Sequence, residues 1–142
     1  MASKREQILA AVASILEGTT GVGTRIYRSR VEAFSRSEAG SLVIEPGTDT
    51  AAEQPVSTCY IDWRLPVLVA VYTRGLIPDQ LADPIIVSVH SQLMADRTLG
   101  GLAMDIWPGS VDPQMDKADA TAMWTVLTYN VRYRSSVTDL AV

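Results

Sequence analysis

The sequence predicts an α+β fold, with a mainly antiparallel mixed sheet of about four to six strands and two helices packed on one face. Two long β-patterned segments and two segments of helical periodicity carry this prediction. The longest β-segment runs from Ala120 to Arg134 without Gly or Pro. Its alternation places a core-like series on one face: Met123, Thr125, Leu127, Tyr129, Val131 and Tyr133. The other long segment, Thr58 to Thr73, alternates in the same way, and Pro66 within it is expected at an edge, a bulge or a bend.

Start signals and apolar spacing predict the two helices. Ser3 to Glu6 matches a capping box, in which the Ser3 hydroxyl accepts from the Glu6 amide and the Glu6 carboxylate reaches back to the Ser3 amide. The apolar stripe that follows predicts a first helix from Lys4 to Glu17, ended by Gly18. Asp83 and Pro84 match an N-cap followed by a proline at the first helical position, so a second helix is predicted from there to Ala95 or Arg97.

The remaining segments predict shorter strands and connections within a single domain, 1–142. Short strands are expected within Thr24 to Val31, Ser41 to Glu45 and Met104 to Trp107, the last ended by Pro108 and Gly109. Loops 46–57 and 108–119 are expected to be exposed, and the tail 135–142 to fray. The predicted element order is therefore α-β-β-β-α-β-β.

Composition narrows the function classes. The formal net charge of −4 disfavours a general nucleic-acid binder or a protein of anionic membranes. The single cysteine, Cys59, excludes an internal disulfide and a cysteine-based zinc site. The sequence shows neither a secretory leader nor a run of about 20 apolar residues, so an intracellular soluble protein is expected.

The charges are unevenly distributed along the chain. Arginines concentrate near the first strand, whereas aspartates dominate the segment before the last one. We predict that they form complementary patches, with Arg28, Arg30 and Arg36 on one side and Asp112, Asp116 and Asp119 on the other. Opposite patches on one small protein permit head-to-tail contact between copies, although a solvated charged face explains the same pattern more simply.

No catalytic, cofactor or metal site is predicted. His90 has no recognisable carboxylate or cysteine cluster and is expected to be a hydrogen-bonded boundary residue. Cys59 is expected to be a small buried side chain. The three tryptophans, Trp63, Trp107 and Trp124, fall on strand-like segments, where packing in the core or at a subunit interface is the expected role. No glycine-rich nucleotide-binding motif is present.

Three local features resemble the bacteriophage tail terminator family. The first is the amphipathic N-terminal helix leading into a strand with Arg25 and Arg28. The second is the passage from Leu93 to Ala103, with Asp96 followed by Leu-Gly-Gly and small apolar residues. The third is the closing run Val131-Arg132-Tyr133-Arg134. These motifs are short, but together they span most of the chain.

The resemblance implies a non-enzymatic protein of phage or prophage origin that assembles as a homohexameric ring and is compatible with a free monomer. Its implied partners are the major tail tube protein, whose growth the ring ends, and the head-tail connector. Assembly would take place in the bacterial cytoplasm, and the ring would stay in the virion tail. No membrane and no sequence-specific nucleic acid is implied, although DNA could contact the arginines passively in the ring lumen. Two alternatives stay open: a head-tail joining or completion protein of similar fold, and a small α+β ligand-binding or enzymatic domain.

Overall fold

The predicted α+β fold is confirmed by the computed structural model, which describes residues 1–30, 32–52, 59–115 and 121–142. Two helices and six strands are present in the described ranges. In chain order they are α1 (Lys4–Ile15), β1 (Ile26–Arg28), β2 (Ser41–Pro46), β3 (Thr50–Ala51), β4 (Tyr60–Arg74), α2 (Pro78–Met94), β5 (Asp105–Met115) and β6 (Ala122–Ser136). A short 3-10 turn, Arg36–Glu38, precedes β2.

The six strands form a single mixed sheet in the order β1-β2-β4-β6-β5. Strands β4 and β6, each 15 residues long, pair antiparallel along their full length, from Tyr60 opposite Ser136 to Arg74 opposite Ala122. The only parallel pair in the described ranges joins β1 and β2. Because β6 occupies one side of β4 throughout, β3 lies on the same side of β4 as β2, opposite Trp63 and Arg64.

Both helices pack on one face of the sheet, as predicted. Odd-numbered residues of β4 and β6 point to this face and are almost fully buried against apolar residues of α1 and α2: Leu65, Val67, Val69, Val71, Leu127, Tyr129, Val131 and Tyr133. This period-two burial is the physical reason that the alternation was readable in the sequence. We call the opposite, helix-free side the open face; its central residues include Leu68, Ala70, Val126 and Thr128.

The first helix begins as predicted, but its capping box is only half formed. The Ser3 side chain accepts from the Glu6 amide at 3.2 Å. The Glu6 carboxylate does not return to Ser3 and instead accepts two hydrogen bonds from Arg28, at 3.1 and 3.0 Å. A guanidinium offers a bidentate, charge-assisted pair, which is a stronger partner than one backbone amide.

The predicted start of the second helix is wrong. The helix begins at Pro78, not at Asp83, and Pro84 lies inside it. Pro78 already has the fixed backbone angle that suits the first helical turn and needs no amide partner there. The apolar residues that give the helical pattern continue upstream to Ala82, which is buried in the core.

Proline does not interrupt β4, which remains one strand through Pro66. The Pro66 carbonyl accepts from Gly47 at 2.7 Å, in the link between β2 and β3. In an antiparallel strand, the amide and carbonyl of one residue point to the same neighbour. The Pro66 nitrogen, which has no hydrogen to donate, therefore faces the link between β2 and β3. No hydrogen bond between paired strands is lost there.

Three further segments differ from the prediction: a strand, a loop and the C-terminal tail. β5 does not end at Trp107 but passes through Pro108 and Gly109, where a register shift between Pro108 and Ser110 absorbs the extra residue as a bulge. The predicted loop 46–57 contains β3, and residues 53–58 of it lie outside the described ranges. In the tail, Ser135 and Ser136 belong to β6, and the Leu140 carbonyl accepts from the Lys4 amide at 2.8 Å.

Candidate interaction surfaces

The outer strand β5 is the most exposed of the long strands. Nine of its eleven residues are exposed. Three of them are large apolar residues with more than half of their surface accessible, namely Trp107 (57%), Val111 (59%) and Met115 (55%). An exposed edge of this length, carrying apolar side chains, is a template for association unless the chain protects it. Pro108 and Pro113 interrupt its hydrogen-bonding capacity, which favours contacts through side chains over continuous strand addition.

An apolar groove of about 620 Å³ lies between α2 and the β5–β6 pair. Ile86 and Val87 of α2 form one wall, and Val111 and Leu127 lie across from them. Val87 is 58% exposed, so this wall is open to solvent. The groove therefore continues the apolar surface of β5 onto the helix layer.

One polar pair lies in this groove. The His90 Nδ1 atom and the Tyr129 hydroxyl are 2.9 Å apart. Burial raises the pKa of the Tyr129 phenol, so this group stays protonated and neutral around pH 7. His90 is thus the hydrogen-bonded boundary residue that the sequence predicted, while Tyr129 belongs to the core.

The opposite edge, at β1, is short and is closed by contacts within the chain. Its three residues run beside β2, and Arg28 at its end forms the bidentate pair with Glu6 of α1. The hydrogen bonds from Arg28 hold the pKa of the Glu6 carboxyl below its ordinary value. Both side chains remain partly exposed, at 34% and 51%, so the net stabilisation from this pair is small.

A second ion pair closes the segment that follows β1. Arg30 donates to Glu38 at 2.6 and 3.2 Å, and the Ser35 amide donates to the same carboxylate at 3.0 Å. The hydrogen bonds from Arg30 are the main reason that the pKa of Glu38 falls to about 2. The Arg30 guanidinium also stacks 4.2 Å from the ring centroid of Phe34.

An aromatic cluster anchors this segment over one end of the open face. The Phe34 ring stacks on Tyr72 at 5.0 Å and tilts against Trp124 at 5.4 Å. Tyr27 meets Phe34 edge to face at 5.5 Å. Since offset and edge-to-face pairs are favourable beyond the area that they bury, the cluster fixes the connection between β1 and β2 on the sheet.

The structure places the predicted charge patches at opposite edges where it describes them. Arg28 lies at the β1 edge and Arg30 follows it, whereas Asp112 lies on β5 and accepts from Gln114 at 2.9 Å. Arg36 begins the 3-10 turn, and its side chain is not described. Asp116 and Asp119 lie outside the described residues. That these residues act as interaction patches stays a prediction, and the ion pairs of Arg28 and Arg30 already neutralise much of the basic one.

Two arginines of the open face did not stand out in the sequence. Arg64 on β4 and Arg132 on β6 are direct cross-strand neighbours and are both exposed. Neither side chain forms a hydrogen bond or ion pair in the part of the chain that the structure describes. They line a concavity of about 430 Å³ whose other lining residues include Thr50, Ala52 and Asp62. The pairing of strands distant in sequence creates this site, so only the alternation of β4 and β6 hinted at a shared face.

The neighbouring charges on this face are paired. Asp62 accepts from Arg134 at 2.7 and 3.2 Å, and these hydrogen bonds lower the pKa of its carboxyl. Asp105 of β5 is the register partner of Arg132 of β6. Arg97 donates two hydrogen bonds to its carboxylate, at 2.8 and 2.7 Å, and these lower the pKa of Asp105 in the same way. The charge of Arg132 also acts on both carboxylates, but the two acids face four guanidinium groups here, so a net positive charge remains around Arg64 and Arg132.

The prediction for Cys59 is wrong. Its side chain is exposed, because it lies just before β4 begins at Tyr60, beyond the cover of the core. Among the tryptophans, Trp63 donates to Ser135 at 2.9 Å and Trp124 joins the aromatic cluster, so both serve in packing. Trp107 instead lies exposed with the Arg97 guanidinium 4.9 Å from its ring centroid.

The described ranges lack two kinds of functional feature. They contain no group of three or more His, Cys, Asp or Glu side chains placed to hold a metal ion. No helix in them has the length and hydrophobicity needed to cross a membrane.

Comparison with known proteins gives weak structural similarity. No protein-family model matches the chain, and no curated protein matches it. Among solved structures, the chain is similar to one in the virion of a native gene transfer agent (GTA) particle, with 12% sequence identity and a TM-score of 0.47. The match covers 94% of this chain and 92% of the other. A similarity of this strength does not carry a function from one chain to the other.

Proposed function

We propose that this protein is a non-enzymatic structural protein of the bacteriophage tail terminator type, which forms a ring on the end of a tail tube. The observation that carries the proposal is the exposed, partly apolar edge strand β5, joined to the groove beside α2. Together with the sequence motifs described above, such an edge favours a protein whose function is to associate.

The two unequal edges support a ring over a simple pair. A two-fold dimer brings the same patch of each copy together, whereas a ring joins two different patches through rotation. Here the apolar, acidic β5 edge and the opposite edge of the sheet are different surfaces of one small domain. Copies joined head to tail would cover β5 and so remove the hazard of an open edge.

In this proposal the faces of the ring meet the tail tube on one side and the head-tail connector on the other. The ring ends tube growth during assembly in the bacterial cytoplasm and remains in the virion tail. Its action depends on shape and surface complementarity, and contact with DNA in the lumen is passive. A head-tail joining protein of similar fold differs only in the partner it meets, so binding to purified connectors in preference to tubes would support that alternative.

The test is a concentration series by native mass spectrometry and negative-stain electron microscopy, with and without purified tail tubes. Six-subunit rings, either free or seated on tube ends, are the expected result. A protein that stays monomeric at every concentration and leaves the tubes uncapped overturns the proposal.

One observation favours a second candidate, a ligand-binding domain. The His90 and Tyr129 pair offers a polar contact within a mainly apolar groove, which is the usual composition of a small-molecule site. The groove is open along its length, however, and an apolar surface of another protein would fill it equally well. Titration with a library of small apolar ligands tests this candidate. The measurement is the change in NMR chemical shift at His90 and Leu127.

A further inference from the structure

We infer that Arg64 and Arg132 receive the acidic β5 edge of a second copy, with Asp112 as the carboxylate between them. The inference rests on the proposed ring and names the residues of its subunit contact. It replaces the basic patch predicted from the sequence with one that only the folded sheet creates.

The first argument is the lack of charge compensation. Cross-strand neighbours lie about 5 Å apart between Cβ atoms, and like charges in such positions destabilise a sheet. Arg64 and Arg132 are such a pair, and their nearest acids, Asp62 and Asp105, are held by Arg134 and Arg97. A carboxylate that enters from outside would relieve the repulsion and form charge-assisted hydrogen bonds with both guanidinium groups.

The second argument is the place of this pair in the sheet. At the level of Arg64 the strands run β3-β4-β6-β5, so among the described residues β3 forms one edge of the sheet and β5 the other. Thr50 of β3 is the register partner of Arg64, and both Thr50 and Ala51 are exposed and small. The concavity beside Arg64 therefore opens at the edge opposite β5, as a head-to-tail contact requires.

The third argument concerns the face and the charge of the partner surface. Asp112 opposes Val126, and Val126 opposes Ala70, so Asp112 belongs to the same open face as Arg64. It is exposed and, unlike Asp105, forms no ion pair with any described residue. Trp107, whose register partner Asn130 also belongs to the open face, is 57% exposed and supplies the apolar part of the contact.

The register sets the geometry of the contact. Asp112 lies at the level of position 70 of β4 and the arginine pair at position 64, a difference of six residues. Neighbouring copies would thus be offset by about 20 Å along the strands. A closed ring accommodates this offset when its strands tilt relative to the ring axis, as strands do in closed barrels.

A carboxylate of a protein fits the site better than a DNA phosphate. Only two charges are uncompensated here, and the chain as a whole has a net charge of −4. A polyanion would need a longer basic stripe to overcome repulsion from the acidic surface. Farther along the open face lie the partly buried apolar residues Leu68 and Val126, and apolar surface next to arginine is typical of protein interfaces.

Arg64→Glu separates assembly from folding. The substitution places a carboxylate opposite Arg132 within the same chain, so the thermal unfolding midpoint should stay the same or rise. Ring formation, measured by native mass spectrometry and negative-stain microscopy with and without tail tubes, should require at least about tenfold more protein. Asp112→Arg should weaken ring formation similarly. Arg5→Glu, at an exposed arginine of α1, is the matched control and should leave the rings unchanged.

A charge exchange completes the test. The triple variant with Arg64→Glu, Arg132→Glu and Asp112→Arg should recover rings that the partial reversals lose. If Arg64→Glu and Asp112→Arg both form rings as readily as the wild type, the inference is overturned and the proposed function stands. The same conclusion follows if the two variants lose rings and the triple variant does not restore them. Duplex DNA bound by the wild type and lost in Arg64→Glu, with unchanged rings, would assign the arginines to phosphate instead. Wild-type protein that forms no rings, free or on tubes, overturns both proposals.

Discussion

The two outer strands of the sheet differ in how far the chain itself protects their exposed edge. β1 is three residues long, and two arginine-carboxylate pairs and an aromatic cluster hold the segments around it. β5 is eleven residues long and leaves nine of them exposed. Short edges and covering segments are ways in which proteins limit unwanted strand pairing, whereas a long exposed edge invites it.

The difference teaches that the chain itself completes the strand β1, whereas it leaves the strand β5 open for association. Contacts within one chain complete the β1 side. On the β5 side, apolar surface remains that the chain does not cover by itself. Substitutions on the two sides should therefore act on different measurable quantities.

The largest expected contrast is between Ile44→Ala and Val111→Ala. Ile44 on β2 is fully buried in the core, so its truncation should lower the free energy of unfolding by about 2 to 5 kcal/mol. Val111 is 59% exposed, and its truncation should change monomer stability by less than about 0.5 kcal/mol while weakening ring formation. Chemical denaturation and native mass spectrometry measure the two effects. Equal loss of monomer stability in both variants would contradict the contrast.

A smaller effect is expected at Gly40, just before β2. Its φ is +78°, and an added Cβ atom would lie 2.5 Å from the Gly21 carbonyl oxygen. Gly40→Ala should lower the free energy of unfolding by roughly 2 to 4 kcal/mol, because backbone strain and the close contact add together. Gly23 has a φ of +62° but open space around it, so Gly23→Ala should cost only about 1 to 2 kcal/mol. Chemical denaturation compares the two, and equal losses would show that the contact with Gly21 is unimportant.

The smallest expected effect is the pH dependence of the closed edge. Because Arg30 holds the pKa of Glu38 at about 2, against its ordinary value of 4.5, the ionised pair stabilises the fold above the unfolded-state pKa. This contribution is lost as the pH falls through the interval towards about 2. The unfolding temperature of Glu38→Gln should therefore lie below that of the wild type at neutral pH and converge with it near pH 2. Glu17→Gln, at an exposed carboxyl, is the control, and a constant difference across this pH range would contradict the assignment.

Patterns that depend on neighbouring residues were predictable from the sequence. The alternation of β6 fixed which residues face the helices, and Leu127, Tyr129 and Val131 are buried as predicted. The Ser3 cap placed the start of α1 correctly. Where two local signals competed, the choice depended on packing. Both Pro78 and Pro84 suit the first turn of a helix, and buried Ala82 shows that the helix already packs on the core before Pro84.

The candidate site was less predictable because its parts come from distant strands. Arg28, Arg30 and Asp112 could be named from local charge density, but the ion pairs of the two arginines could not, since Glu6 and Glu38 reach them through folding. The extent of β5 was also hidden, because Pro108 and Gly109 normally end a strand and here form a bulge held against β6.

The sequence by itself determined the fold class, the buried face of each long strand and an uneven distribution of charge. These properties depend on periodicity and composition among residues that are close together in the chain. Only the tertiary structure decided which charges remain unneutralised and which edge remains open. Arg64 and Arg132 are 68 positions apart in the chain, and they become neighbours only because β4 and β6 pair along their full length. The register of that pairing brings together two like charges that no local pattern could have joined.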